Sequence, residues 1–276
     1  MTGLHGTAPA WPARVLMIGC GNMGGAMLAG WLAGGFAPGC FTVVDPRLET
    51  APAGVRLLRE LPAGEQFDAL LLGVKPQLLD DVAPALAGPV GPDTVVLSIL
   101  AGVELASLAA RLPQARAMVR IMPNLAAAIG KSPVALVGQG VDDAQRAAIT
   151  VLMTPLGSPE WLADETLFDA VTALAGSGPA FVYRFIDALA QGGAALGLPQ
   201  DQAGRLALAM VEGAAALAAL SPVDPGELAR RVASPGGTTQ AGLNVLDEGG
   251  ALARLVSATL VAARDRSAEM AAAARG

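Results

Sequence analysis

The chain is poor in the side chains that usually carry acid–base or metal chemistry. Its 276 residues include one histidine, one tyrosine and two cysteines, and only 15% of them are charged. The histidine is His5, the tyrosine is Tyr183, and the lysines are Lys75 and Lys131. Two cysteines, Cys20 and Cys40, do not suggest a disulfide framework. We therefore expect no metal site and a cytoplasmic location.

Basic clusters and long uninterrupted apolar segments are also lacking. The net charge is −6, and no stripe of Lys or Arg exists to neutralise phosphates, which argues against nucleic-acid binding. Asp187, Arg205 and Glu212 interrupt the most apolar helical candidates, so we expect none to supply the ~20 apolar residues of a membrane span. The N-terminus lacks the pattern of a secretory signal. With 53% hydrophobic residues, the chain has enough apolar material for a sizeable core.

A predicted strand, a glycine-rich turn and a predicted helix follow one another near the N-terminus. The apolar run at residues 14–18 is followed at once by Gly19-Cys20-Gly21-Asn22-Met23-Gly24. This order is the dinucleotide-binding fingerprint. Gly19 permits the tight turn, Gly21 lets the backbone approach a pyrophosphate, and Gly24 lets helix and strand pack closely. We predict that the cofactor binds at Gly19, Gly21, Asn22, Met23 and Gly24.

An acidic residue stands where the fingerprint places the ribose-binding acid. A second predicted strand, Phe41–Val44, ends at Asp45, about twenty residues beyond the glycines. Asp45 is expected to accept hydrogen bonds from the adenosine ribose and to repel a 2′-phosphate, which favours NADH over NADPH. Arg47 would pair with such a phosphate, so we expect the preference for NADH to be mild.

The pattern of the chain changes near Asp164. Before it, apolar strand-like runs alternate with helical segments, which predicts a parallel, doubly wound sheet with right-handed crossovers. After it, only Ala- and Leu-rich helical stretches follow. We predict an α/β protein with a flexible tail at 1–13, a Rossmann-type dinucleotide-binding domain at 14–163 and an all-helical substrate-binding and dimerisation domain at 164–276. Residues 205–219 are apolar on every helical face, so we expect a homodimer or a higher homo-oligomer built from dimers.

A loop near the C-terminus, here called the 234–239 loop, favours binding of a small anion. The sequence around it is Ala233-Ser234-Pro235-Gly236-Gly237-Thr238-Thr239-Gln240. Pro235 fixes one φ angle and the two glycines permit unusual ones, so successive N–H groups can point at one place. Ser234, Thr238 and Thr239 add three hydroxyls. The residues therefore predict a carboxylate site without a basic side chain, although an ordinary turn has the same composition.

Four motifs make the chain similar to the pyrroline-5-carboxylate reductases of proline biosynthesis, from Val15 to about Gly250. The most specific is the segment 234–243, which resembles the family signature. Gly176-Ser177-Gly178-Pro179-Ala180-Phe181 is similar to the family's G-S-G-P-A-Y, and Gly73-Val74-Lys75-Pro76 and Met122-Pro123-Asn124 match two loops beside the nicotinamide. The chain departs from the pattern at Phe181, where tyrosine is usual, and at Leu125 and Ala126, where Thr-Pro is usual. Each departure removes a hydroxyl.

The resemblance implies NADH- or NADPH-dependent reduction of the cyclic imine 1-pyrroline-5-carboxylate to L-proline. A protonated imine is already electrophilic, so the enzyme mainly holds the reactants in line and needs little acid–base machinery. The resemblance makes Thr239 the catalytic residue, contacting the ring nitrogen, although a helix N-cap is an alternative role. The implied substrate-binding residues are Ser177, Gly178, Ser234, Gly236, Gly237, Thr238 and Thr239. The further cofactor-binding residues are Val74, Lys75, Pro76 and Asn124.

Other functions remain open on the sequence. An imine reductase with another substrate would use the same positioning of reactants. A hydroxyacid dehydrogenase-like oxidoreductase would share the architecture, but such enzymes generally use a lysine on the first long helix of the helical domain, and no lysine follows Gly176. A non-catalytic nucleotide-binding dimer would have no need of the 234–239 loop.

Overall fold

A computed structural model describes residues 11–275, which form two compact units. The first unit ends at Gly176 and also takes in the residues from Arg264 onward, whereas the second runs from Ser177 to Ala263. The first unit thus extends past the boundary predicted after residue 163. The reason is that Phe168 packs into its core and Glu165 pairs with a strand residue, Arg120.

The first unit is built on one eight-stranded sheet. Its strands are β1 Val15–Ile18, β2 Phe41–Val44, β3 Arg56–Leu58, β4 Ala69–Leu72, β5 Val95–Ser98, β6 Ala117–Met122, β7 Ser132–Gln139 and β8 Gly157–Trp161. They lie in the order β3-β2-β1-β4-β5-β6-β7-β8. All neighbours pair in parallel except β6 and β7, which are antiparallel. The chain changes direction across the sheet between β1 and β4, where such sheets place their ligand crevice. The predicted α/β class with a Rossmann-type sheet is confirmed.

Helices cover the sheet in the first unit and make up the second. Those of the first unit are α1 Asn22–Ala33, α2 Leu79–Val82, α3 Leu105–Arg111, α4 Asp143–Met153 and α5 Phe168–Val171, the last continued by a π-helical turn at Thr172–Gly176. Then follow α6 Gly178–Ala195, α7 Gln200–Leu220, α8 Pro225–Val232, α9 Thr238–Asp247 and α10 Ala251–Arg275. The residues of α10 from Arg264 onward belong to the first unit.

Both faces of the sheet are buried, because successive strand residues point to opposite sides. Met17 and Leu71 belong to one apolar cluster, while Leu16 and Leu70 belong to a second. Near-continuous apolar runs such as β1 are the expected sequence of strands that are covered on both faces.

The end of α10 packs on the loop that follows β5. Gly102 has a φ of +75°, and a Cβ there would lie 3.1 Å from the N of Ala271 and from the carbonyl group of Met270. The Ser267 hydroxyl donates to Oδ1 of Asp169 at 2.7 Å. The close approach at Gly102 therefore depends on glycine, both for its φ angle and for its missing side chain.

Residues 11–13 are fixed to the first unit and do not belong to a flexible tail. The N–H groups of Ala13 and Arg14 both donate to Oδ2 of Asp68 at 2.8 Å. Pro12 is buried, and Trp11 packs against the core. The rest of the predicted tail, residues 1–10 with His5, lies outside the described residues.

Small side chains let α6 and α7 pack closely in the second unit. Ala190 of α6 and Ala203 and Ala207 of α7 are buried. Other apolar residues of α7 stay uncovered within one chain: Leu206, Met210 and Leu217 are 52%, 50% and 64% exposed. The structure thus leaves uncovered much of the apolar surface for which the sequence predicts a second subunit.

Helix α7 is longer and more apolar than expected from the sequence. It is the one helix within residues 11–275 that is long and apolar enough to cross a membrane by length and composition, with a mean hydropathy of 1.5. The expectation failed because Asp201 and Arg205 lie near its start, which leaves Glu212 as the single charge in the rest of the helix. Such a helix occurs equally in protein interiors, so its composition does not decide what covers it.

Candidate active site

The turn between β1 and α1 contains glycines that larger residues cannot replace. Gly19 has a φ of +84°, and a Cβ there would lie 2.9 Å from the carbonyl carbon and oxygen of Gly73. The N–H of Gly19 donates to the Val44 carbonyl at 2.9 Å, and the N–H of Gly73 donates to the Ile18 carbonyl at 2.8 Å. A Cβ on Gly24 would lie 3.0 Å from the carbonyl oxygen of Gly19. The tight turn and the close helix–strand packing therefore both require glycine.

Gly21 differs from these two glycines, because a side chain at its position would meet no other atoms. It is the N-cap of α1, and a Cβ there would have no heavy atom within 4 Å. No side chain caps α1 in the described structure, and its first turn holds no acidic residue. The N–H groups at the start of α1, including those of Asn22 and Met23, thus form the positive end of a helix dipole beside open space. A dinucleotide pyrophosphate fits this arrangement, since it needs close approach to the backbone and free N–H donors.

The Asp45 carboxylate is held at the end of β2 by backbone donors. Its Oδ2 accepts from the N–H of Cys20 at 2.9 Å, and its Oδ1 accepts from the N–H groups of Arg47 and Leu48 at 2.9 Å and 3.2 Å. Partial burial opposes ionisation, but these hydrogen bonds and the Arg47 charge outweigh it and lower the pKa of Asp45. Burial and the Asp45 charge raise the pKa of the Cys20 thiol to about 11. The sequence did not predict this link between Asp45 and the fingerprint turn.

The segment after β4 starts beside the same turn. A Cβ on Gly73 would lie 2.8 Å from the carbonyl oxygen of Gly19. Val74 is half-buried against the core, and Lys75 is exposed as the N-cap of a 3-10 turn that begins at Pro76. The structure therefore brings Val74 close to the fingerprint turn, with Lys75 and Pro76 next along the chain.

Asn124 follows β6 and is buried, and each end of its side-chain amide makes one hydrogen bond to the backbone. Its N–H donates to the Ser132 hydroxyl at 2.9 Å. Its side-chain Oδ1 accepts from the N–H of Ala126 at 2.9 Å, and its Nδ2 donates to the Ala175 carbonyl at 3.1 Å. Asn124 therefore shapes the loop it begins and ties that loop to the π-helical turn. Its predicted contact with the nicotinamide half of the cofactor stays a prediction.

Ser177 and Gly178 begin the second unit and stand at the start of α6. Ser177 is the N-cap without a side-chain cap hydrogen bond, and a Cβ on Gly178 would have no heavy atom within 4 Å. The π-helical turn at Thr172–Gly176 comes directly before them. No pattern in the sequence predicts this turn, and π-helical turns frequently occur at functional sites.

The 234–239 loop leads into the N-terminus of α9. Gly236 has a φ of +69°, so this position requires glycine, whereas Gly237 has an ordinary φ of −81° and is the N-cap. A Cβ on Gly237 would instead lie 2.5 Å from Oγ of Ser234 and 3.1 Å from its carbonyl oxygen. Thr238 and Thr239 are the first two residues of α9, and both are exposed. The alternative role of Thr239 as a helix N-cap is therefore wrong.

One of the N–H groups predicted to bind a carboxylate is already engaged. The N–H of Gly237 donates to the Ser234 carbonyl at 2.9 Å. The first helical bond of α9 runs from the N–H of Ala241 to the Gly237 carbonyl at 3.1 Å. The N–H groups of Thr238, Thr239 and Gln240 precede that bond and are the donors that a helix N-terminus leaves open. Of the predicted donors, the N–H of Gly237 is therefore not free, whereas that of Thr238 is free among the described residues; carboxylate binding at this loop stays a prediction.

Together, the described residues indicate a class of protein. A Rossmann-type sheet carries the glycine turn, the Asp45 carboxylate and the segment after β4 at its switch point, and a helical unit follows. This arrangement is typical of a dinucleotide-binding oxidoreductase with an additional helical unit.

Comparison with known proteins gives the family. A family model described as NADP oxidoreductase, coenzyme F420-dependent, matches residues 14–102, and one described as pyrroline-5-carboxylate reductase dimerisation matches residues 165–270. The chain is 38% identical over 265 residues to the pyrroline-5-carboxylate reductase of Pseudomonas aeruginosa, covering 94% of this chain and 97% of that protein. It is 35% identical over 270 residues to the enzyme of Arabidopsis thaliana, covering 95% and 97%.

A solved structure gives the same result. A pyrroline-5-carboxylate reductase from Coxiella burnetii matches with a TM-score of 0.84 and 28% identity, over 94% of this chain and 98% of that one. The chain therefore belongs to the pyrroline-5-carboxylate reductase family. The predicted family, the predicted oxidoreductase class and the predicted function as a pyrroline-5-carboxylate reductase are confirmed, and a nicotinamide cofactor follows from them.

Proposed function

We propose that the protein reduces the C=N bond of 1-pyrroline-5-carboxylate to give L-proline, and that the 234–239 loop holds the substrate carboxylate. The N-terminus of α9 carries this proposal. Its first turn contains no acidic residue, and the open N–H groups of Thr238, Thr239 and Gln240 stand beside the exposed Ser234. Such donors hold an anion through charge-assisted hydrogen bonds.

The neighbouring basic side chains support a carboxylate site made of neutral donors. Arg230 and Arg231, in the last turn of α8, both bind Glu227, with their Nε atoms 2.9 Å from its Oε2 and Oε1. The two guanidinium groups share the one Glu227 carboxylate, so both side chains are already engaged, although one net positive charge remains near the loop. We propose that the carboxylate is held mainly by backbone N–H groups and hydroxyls, because both arginines are oriented toward Glu227.

The cofactor is proposed to bind to the first unit. The N–H groups at the start of α1 hold the pyrophosphate beside Gly21, and Asp45 faces the adenosine ribose. Val74, Lys75, Pro76 and Asn124 line the nicotinamide half. The bound dihydronicotinamide supplies a hydride to the imine carbon. Thr239 is proposed to contact the ring nitrogen, so the protein orients a reactive imine and carries out little proton transfer of its own.

Substrate discrimination tests the carboxylate site. The protein should oxidise reduced nicotinamide with racemic 1-pyrroline-5-carboxylate and release L-proline, identified by chromatography. With 1-pyrroline, which lacks the carboxylate, kcat/KM should fall about tenfold to a hundredfold or more, as expected for lost hydrogen bonds to a charged group. Equal activity on both imines would mean that the 234–239 loop does not bind a carboxylate.

The cofactor preference is proposed to be a mild one for NADH. Asp45 is ionised at neutral pH, and its negative charge at the end of β2 opposes a 2′-phosphate. Steady-state kinetics should give a higher kcat/KM for NADH than for NADPH, and Asp45→Asn should shift the ratio toward NADPH. The ratio serves as its own control, because damage to the fold lowers both values together. A clear NADPH preference of the parent protein contradicts the proposal.

The protein is further proposed to act as a homodimer, or a higher homo-oligomer of dimers, in the cytoplasm. The uncovered apolar side chains of α7 and the match to a dimerisation family support the assembly. Free thiols at Cys20 and Cys40 suit a reducing compartment. The first unit is proposed to bind the cofactor, and the second unit, Ser177–Ala263, to bind the substrate and form the dimer contact.

A further inference from the structure

One charged side chain is buried against a face of the sheet in the first unit. Arg120 lies in β6 and is 4% exposed, and it is the one charged residue among the buried residues of the described chain. Its neighbours Val119 and Ile121 belong to the apolar cluster on one face of the sheet, and Met118 belongs to the cluster on the other. By strand alternation Arg120 shares the face of Met118. In the sequence, the signal for such a residue is a lone charge within an apolar strand.

Arg120 is held by one segment of the chain. Its Nη1 donates to Oε1 of Glu165 at 2.7 Å, and its guanidinium carbon lies 3.9 Å from the centre of the Phe168 ring. Its Nε has no hydrogen-bond partner among the described atoms. The same Glu165 oxygen accepts from the N–H of Leu105, the first residue of α3, at 2.8 Å. A buried cation with one ion pair and one open donor is costly to keep for stability alone.

The segment that Arg120 holds is attached to β6 at its other end as well. It runs from Glu165 through α5 to the π-helical turn, and a Cβ on Gly176 would lie 3.1 Å from Sδ of Met122 in β6. Asn124, just beyond β6, donates to the Ala175 carbonyl at 3.1 Å. Residues 165–176 are thus fixed to β6 at two places, by Arg120 at the start and by Met122 with Asn124 at the end.

We propose that Arg120 is a positioning residue for the reduction. By holding Glu165 and Phe168, it fixes the position of the π-helical turn. Through the hydrogen bond to Ala175, that turn sets the orientation of Asn124. The proposal rests on the proposed function, in which Asn124 lines the nicotinamide half. A shift of the turn moves Asn124 while leaving the α1 N-terminus and Asp45 untouched. Loss of Arg120 should therefore lower turnover and leave cofactor affinity nearly unchanged, since a displacement near 1 Å can cost about a hundredfold in rate.

Single and double variants separate positioning from simple stability. Arg120→Met should lower kcat about tenfold to a hundredfold, with the Kd for reduced cofactor within about twofold of the parent value. Arg120→Lys keeps the charge but loses the planar stack on Phe168, so it should restore only part of the rate. Glu165→Gln alone leaves an unpaired buried cation and should lower the Tm most.

The double variant Arg120→Met/Glu165→Gln decides the matter. Removing both charges should raise the Tm well above that of Glu165→Gln, because no buried charge is left unpaired, yet kcat should stay as low as in Arg120→Met. Val119→Ala is the matched control: it lies on the same strand and faces the opposite cluster, so it should lower the Tm without lowering kcat. If the double variant regains both the Tm and kcat, Arg120 serves only the fold.

The failure of this proposal can be told apart from a failure of the proposed function. If the parent protein does not reduce 1-pyrroline-5-carboxylate, the proposed function is wrong. If the parent is active and Arg120→Met has the parent kcat with a lowered Tm, the positioning role is wrong and the function stands. A low kcat in both Arg120→Met and the double variant, with normal cofactor binding, supports the positioning role.

Discussion

At the scale of single residues, Thr239 and Gly237 should respond differently to substitution. Thr239 is inside α9 and does not cap it, so Thr239→Ala should leave the Tm and cofactor binding unchanged. Loss of its hydrogen bond to the substrate nitrogen should cost about 1–3 kcal/mol, a tenfold to hundredfold fall in kcat/KM that appears mainly in kcat. Steady-state kinetics and cofactor titration check both statements. Parent-like turnover of Thr239→Ala would remove its catalytic role.

Gly237→Val should act on substrate binding. A Cβ at this position would meet Oγ of Ser234 at 2.5 Å, so a branched side chain has to displace the Ser234 hydroxyl from the 234–239 loop. The substrate KM should rise together with a fall in kcat, whereas Thr239→Ala should leave KM nearly constant. Gly242→Ala is the matched control, because a Cβ at Gly242 would have no heavy atom within 4 Å. A parent-like KM for Gly237→Val would argue against carboxylate binding at this loop.

At the scale of elements, Asp45 joins the end of β2 to the fingerprint turn, and this connection should depend on pH. Its pKa is lowered from the ordinary 3.8 in the folded protein. The stabilisation is therefore present above that pH and is lost as the pH falls through the lowered pKa. Asp45→Asn should be less stable than the parent by about 1 kcal/mol at pH 7. Urea unfolding at a series of pH values should show this difference shrinking in acid; a constant difference contradicts the role of the charge.

Strands with several consecutive apolar residues could be predicted from the sequence, whereas the edge strands β3 and β8 could not. The strands predicted at residues 14–18 and Phe41–Val44 are β1 and β2, and β4, β5, β6 and β7 also contain apolar runs. β3 has three residues and lies at the edge of the sheet, so burial imposes little pattern on it. β8 contains Pro159 and starts at Gly157 with a φ of +143°, both unusual within a strand. The antiparallel direction of β7 follows from the short connection after β6, which hydrophobic patterning does not reveal.

The candidate site was predictable only where a backbone shape requires a particular residue. Gly19 and Gly24 are such positions, because their neighbours leave no room for a side chain. Two hydrogen bonds of the site, from Cys20 to Asp45 and from Asn124 to Ala175, join residues that are distant in sequence. Contacts of this kind leave no local pattern in the sequence.

At the scale of the whole molecule, the uncovered face of α7 should set the oligomeric state. Leu217→Glu places a charge on that face and should convert a dimer at low micromolar concentration into monomers with reduced activity, as measured by light scattering and kinetics. Val151→Glu is the matched control, since Val151 is 50% exposed on α4 in the first unit. A folded, active monomer of the parent protein would contradict the proposed dimer.

The packing of the α10 end on Gly102 also orders events during synthesis. Met270 is made about 110 residues after Trp161, the end of the last strand of the first unit, and at about 5–20 residues per second the delay is roughly 5–20 seconds. Throughout that time the loop at Gly102 and the Asp169 carboxylate lack the residues that later cover them. During synthesis, the surface around Gly102 and Asp169 is therefore uncovered in the first unit. Chaperones and proteases can reach this surface until the end of α10 covers it.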